Sequence, residues 1–190
     1  LSACEDVFCS VSGGLLPPVS VRAARRDEVE FLQSFPDNVK VPASEAVGKG
    51  KVSTRWVDTN KGGLEEWIIR CRLVARDFKG NDKDRDDLFA ETPPLEAKRI
   101  LMSRAATRRK DGRWRKLLFV DARKAHLNPR CEEDVYIELP EECGAPPGMC
   151  GKLNFWLYGF RPAAAAWEKH YSELFEKEGF VRGESCGCLL

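Results

Sequence analysis

Little in this sequence points to export, a metal cage or a membrane. No run of about 18 apolar residues occurs, so nothing reads as a membrane span. The first twenty residues have neither the basic start nor the apolar block of a secretion signal. The eight cysteines include no C-x-x-C; Cys186 and Cys188 are separated by one residue, Cys143 and Cys150 are seven apart, and the rest are scattered. The two histidines, His126 and His170, are not spaced as zinc partners. These absences predict free thiols in a reducing compartment, hence an intracellular protein of the cytoplasm and/or nucleus that is not secreted. Net charge is nearly absent too, +1 from 31 basic and 30 acidic residues, which argues against a uniformly basic nucleic-acid binder.

What is there is an ordinary globular composition: 190 residues, 43% hydrophobic and 32% charged, enough for one domain or one and a half with a real core. The chain begins on Leu1 rather than Met and stops at Leu190 directly after an apolar word, so a fragment is expected. Its charge is unevenly placed. Between positions 98 and 116 nine basic residues face one acid, Asp111, and the segment carries Trp114; acidic stretches at 82–91 and 132–142 balance it. Such a run is either a solvated helix face or a phosphate contact, and Arg108, Arg109, Lys110, Arg113 and Arg115 are the candidates for the second use.

Residues 1–27, with Gly13-Gly14, Pro17-Pro18 and no sustained period, read as a disordered or linker tail. Residues 28–35 suit a short helix that Pro36 stops. Residues 51–58 alternate, a turn signal follows at 60–63, and a second alternating run covers 66–75, which together predict a β-hairpin. The period of two puts Arg70 and Arg72 on one face of the second strand, where two guanidinium groups can fork onto triphosphate oxygens or simply lie in solvent.

Pro93-Pro94 opens a helix to about residue 109, with Ala97, Leu101 and Ala105 on one side. Leu117, Leu118, Phe119 and Val120 then form a short uninterrupted apolar run, the pattern of a strand buried on both faces, and it ends on Asp121. A carboxylate at the mouth of a buried strand has to be hydrogen-bonded, paired or metal-bound, so Asp121 is either a strand-end cap or a ligand. The helix before it is expected to pack on the sheet that contains it. An alternating strand at 135–139, a Pro/Gly-rich loop at 140–148 and a last helix complete the chain. That helix has Pro162 near its first turn, Trp167, His170, Tyr171, Leu174 and Phe175 on one side, and Gly179 as its stop. The mixed periods define an α+β chain.

Several words in register carry more than any one of them. F-V-D-A-R-K-A-H-L-N-P (119–129) followed by D-V-Y-I-E-L-P (134–140) resembles the first catalytic motif of copia-type retrotransposon reverse transcriptases. T-R-W-V-D-T-N-K-G (54–62), R-C-R-L-V-A-R-D-F (70–78) and D-L-F-A-E-T-P-P-L-E-A-K-R-I-L (87–101) match upstream in the same order. C-G-K-L-N-F-W-L-Y-G-F-R-P-A-A-A-A-W (150–167) matches downstream. The similarity covers roughly residue 28 to the C-terminus.

The resemblance implies an RNA-directed DNA polymerase domain in part: fingers at about 28–92 and 128–155, palm at about 93–127 and 156–190, truncated before the second catalytic motif pair and the thumb. It implies two-metal nucleotidyl transfer in a full-length parent polyprotein, with Mg²⁺ or Mn²⁺, a DNA or RNA template-primer and deoxynucleoside triphosphates as partners, and no membrane. Asp121 would be the catalytic metal ligand, joined by the backbone carbonyl of Ala122. Arg70 and Arg72 would close over the incoming nucleotide, while Tyr158, Gly159 and Arg161 lie along the template and the incoming base. Gly159 would let the backbone approach a nucleotide, and Arg161 stands where the family usually has lysine. His126 replaces the family's large aromatic residue that screens out a ribose 2′-hydroxyl. The paired aspartates of the family's Y-x-D-D turn are missing from the 190 residues; the only adjacent pair, Asp86-Asp87, lies upstream in the wrong context. Two readings follow: a polymerase fragment inactive in isolation, or a non-catalytic degenerate remnant that binds nucleic acid through the basic patch or has no function.

Overall fold

The computed structural model describes residues 6–35, 39–63, 66–78, 88, 90 and 92–184. Asp86-Asp87 and most of the 82–91 acidic stretch lie outside them.

The N-terminal stretch, expected to be a linker, is structured from its first described residues. Strands β1 (Val7–Phe8) and β2 (Leu15–Leu16) pair antiparallel across a turn in which Gly13 takes a φ of 72°. Helix α1 (Pro18–Gln33) then starts at Pro18 rather than at Glu28. Proline in a first turn gives up only an N–H that the helix leaves unused. Arg22, Arg25 and Arg26 dilute the apolar signal of this helix, but Val21 and Val29 form a genuine buried face against the strand Ile69–Ala75. Arg25 is consumed by pairing, with its Nη2 on Asp58 Oδ2 at 2.7 Å and its Nη1 on Glu142 Oε1 at 2.9 Å.

The expected hairpin forms as β5 (Thr54–Asn60) and β6 (Ile69–Ala75), antiparallel, with Thr54 opposite Ala75 and Asn60 opposite Ile69. Residues 51–58, read as one strand, divide at Ser53: β4 (Lys51–Val52) leaves the hairpin and pairs in parallel with β7 (Arg130–Ile137). A mixed four-stranded sheet of order β3-β8-β7-β4 results, with β3 (Val39–Pro42) and β8 (Met149–Phe155) antiparallel to their neighbours. The run C-G-K-L-N-F of β8 alternates only loosely, so its sequence carries no clear strand signal. The main core lies where this sheet, the hairpin and helix α3 (Ala163–Lys177) meet, around Leu73, Leu127, Ile137, Leu153, Trp156 and Leu157. Helix α3 starts and stops at its sequence signals, with Pro162 at its N-cap and Gly179 after it at a φ of 89°, but it buries Ala163 and Ser172, while Leu174 and Phe175 of the apolar side read from the sequence are exposed.

The run before Asp121 is a correction. Leu118, Phe119 and Val120 are 87%, 76% and 75% exposed, and residues 113–122 carry no strand. Apolar side chains do not make a strand unless a neighbouring ladder satisfies the backbone, and no described strand pairs with this one. Helix α2 (Leu95–Ala105) consequently has no sheet to cover and buries no residue. Among the described residues no helix is long and apolar enough to cross a membrane. Five thiols, those of Cys9, Cys71, Cys131, Cys143 and Cys150, are free, as the spacing predicts.

Candidate functional site

Strand parity in β6 does what the alternation predicts. Cys71, Leu73 and Ala75 are buried toward the core, while Arg70 is exposed and Arg72 half-buried on the other face. The Arg72 guanidinium lies 5.5 Å from the ring centroid of Tyr158, within cation–π range. His126 reaches the same ring, with centroids 5.5 Å apart and planes at 35°. Three residues from three distant stretches therefore meet at one aromatic ring. Arg72 Nε is buried there without a hydrogen-bond partner among the described residues.

The elements that place these residues are short. A 3₁₀ turn, Ala125–Leu127, carries His126, buries Leu127 in the core and packs against α3. Tyr158 is fixed through its backbone, whose carbonyl accepts the N–H of Ala75 at 2.7 Å. Gly159 follows at a φ of 88°, and a Cβ there would collide with the Ala75 carbonyl oxygen. In the described structure glycine is thus required by the strand behind it. The Arg161 N–H donates to Asp77 Oδ2 at 3.0 Å, which ties the 157–161 turn to the end of β6. Asp77 also lines a cleft of about 490 Å³ whose walls include Lys51, Arg76, Phe78, Asp134 and Phe160.

Electrostatics follow from this crowding. Burial, and then the positive charge of Arg72, hold the His126 pKa below its ordinary value. Burial raises the Tyr158 phenol, the buried carboxylate of Glu28 adds to the rise, and Arg72 and Arg70 oppose it. Arg70 therefore acts on the same ring through its charge, although its side chain is exposed.

Sequence reasoning missed two residues of this neighbourhood, Glu28 and Lys124. Lys124 Nζ sits 2.6 Å from Glu28 Oε2 and 3.5 Å from the ring centroid of Phe31. No sequence signal distinguishes this glutamate from the other acids of α1, because its partner lies 96 positions away.

Asp121 and Ala122 lie on the loop that leads into the turn of His126. Both are exposed, and no described hydrogen bond or ion pair involves the Asp121 carboxylate. Among the described residues no three His, Cys, Asp or Glu side chains come together in a way that could hold a metal ion. The residues present thus do not fit a complete two-metal site, which needs several carboxylate oxygens. The basic segment is exposed and partly committed to itself. Arg115 Nη1 donates to the carbonyls of Arg104 and Thr107, at 3.2 and 2.8 Å, and closes the end of α2. Arg113 and Arg109 share Asp111, and Arg108 stacks over Trp114 at 4.9 Å.

A β-hairpin of alternating parity, a loop carrying Asp121 and a turn built on Leu157-Tyr158-Gly159 follow one another along the chain. The family model of the reverse transcriptase (RNA-dependent DNA polymerase) matches residues 38–189, and the chain belongs to that family. It is 26% identical over 171 residues, 87% of its own length, to the Retrovirus-related Pol polyprotein from transposon TNT 1-94 of Nicotiana tabacum. The chain spans 12% of that polyprotein. Both findings bear out the copia-type resemblance drawn from the sequence words. No solved structure matches the chain.

Proposed function

We propose that this chain is the nucleotide- and template-facing part of an RNA-directed DNA polymerase, and that polymerisation belongs to a longer parent polyprotein. The observation that carries the reading is the meeting of Arg72 and His126 on Tyr158, from segments that the copia-type resemblance assigns separately to nucleotide contact. In this reading Arg72, with an unused Nε, and Arg70, on the same strand face, take the triphosphate. His126 occupies the position that discriminates the sugar, and Tyr158, Gly159 and Arg161 border the base and template. Residues 28–92 and 128–155 act as fingers, with 93–127 and 156–190 as the start of a palm. Asp121, with the carbonyl of Ala122, supplies one part of a divalent-metal site whose other carboxylates are not found among the described residues. The working setting is intracellular, with an RNA or DNA template-primer bound along Arg108, Arg109, Lys110, Arg113 and Arg115.

The test is equilibrium binding of dTTP to the 190-residue chain. Saturable binding that Arg72→Met weakens about tenfold, a loss of roughly 1.4 kcal/mol, supports the reading. An unchanged affinity in that variant, or none in the parent chain, rejects it and favours the degenerate remnant.

A further inference from the structure

The loop that leads from Asp121 to His126 is held by a residue outside the family match. Lys124 is the one non-glycine residue among those described with a positive φ, 52°, in the left-handed region that L side chains rarely adopt. Its side chain is nevertheless only 15% exposed, and its ammonium is clamped between Phe31 and a Glu28 carboxylate that is 6% exposed. Both clamping residues lie on α1, before residue 38, where the family match starts. The backbone carbonyl of Lys124 then accepts the Leu127 N–H at 2.9 Å and the Asn128 Nδ2 at 3.2 Å, so the fixed lysine starts the turn that carries His126.

Stability alone does not account for this pair. Removing two charges from water offsets most of their attraction, and Glu28 Oε1 remains without a hydrogen-bond partner among the described residues. What a buried pair enforces is placement, since any other position of the loop strands a charge in the interior. We propose that Glu28 is a positioning residue: through Lys124 it fixes the 121–128 loop, and with it His126, against the nucleotide site. This inference rests on the function proposed above, and it assigns to α1 a part in the geometry of that site.

Two measurements on the full chain decide it, hydrogen exchange of the Leu127 and Asn128 amides and the affinity for dTTP, each in the parent chain and in Glu28→Gln. The expected result is exchange of those two amides faster by about tenfold or more, with Val135 and Leu153 in the neighbouring sheet unchanged. A dTTP dissociation constant raised about tenfold should accompany it. Unchanged exchange at Leu127 and Asn128 overturns the proposal, and so does an equal rise in the sheet, which is general destabilisation. Local loosening with unchanged dTTP affinity also overturns it. Should Glu28→Gln fail to fold, Lys124→Met leaves α1 intact and is read by the same criteria, with Lys124→Arg expected to restore the parent values. Absence of dTTP binding to the parent chain rejects the proposed function, while the exchange comparison still decides whether Glu28 holds the loop.

Discussion

Two residues show how a single position can be bound by forces that its neighbours in sequence do not reveal. Gly159 is held at positive φ, with the Ala75 carbonyl where a side chain would begin. Gly159→Ala should therefore destabilise the chain by on the order of 2 kcal/mol, from backbone strain and displacement of the Ala75 to Tyr158 hydrogen bond, readable as a lower urea midpoint. His126 gives a pH signature. Its folded pKa is depressed, so the unfolded chain binds the extra proton first. The contribution of His126 is complete above the unfolded value, about 6.5, and declines as pH falls from there toward the depressed folded value. Proton NMR of the imidazole should show Arg72→Met raising this pKa without restoring the ordinary value, because burial is the larger cause. A fully ordinary pKa in that variant would mean that Arg72 alone sets it.

At the scale of elements, the leucines of the 117–120 run and the leucine of the Leu-Tyr-Gly turn make opposite predictions. Leu118 is 87% exposed and Leu157 1% exposed. Leu118→Ala should change unfolding free energy by no more than about 0.5 kcal/mol, whereas Leu157→Ala should cost about 2–5 kcal/mol through lost burial and the cavity it leaves. Chemical denaturation of the two variants checks the contrast, and a large loss at Leu118 would show that the run pairs in solution. The neighbouring helix α2 has the same character, since Leu95, Ile100, Leu101 and Met102 are all about half exposed or more. Its stability has to come from its own hydrogen bonds and from Arg115 at its end.

For the molecule as a whole, the absence of the Y-x-D-D aspartates from the 190 residues and of any metal-holding cluster among the described residues point to one behaviour. Primer extension on an RNA template with Mg²⁺ or Mn²⁺ should be undetectable, because each roughly 1.4 kcal/mol of lost transition-state stabilisation is tenfold in rate and a metal site supplies several. Extension by this chain but not by Asp121→Asn would show a complete metal site. Template-primer binding should weaken with salt, and replacing Arg108 and Lys110 by Gln should reduce the slope of log affinity against log salt by about 2. An unaltered slope would place the phosphate contacts elsewhere.

Local chemistry in the sequence determined the β5–β6 hairpin, the inward and outward parity of β6, the free thiols, helix α3 with its proline start and glycine stop, and the family. Period, turn residues and motif spacing act within a few positions of one another, so they can be read along the chain. The tertiary structure decided the rest. Arg25, Glu28 and Lys124 look like solvated charges until partners 33 to 117 positions away bury them. Ser53 divides an alternating run because β7 offers its first two residues a second ladder. The apolar run at 117–120 remains without strand structure because a strand is a property of a pair, and pairing depends on which segment the fold brings alongside.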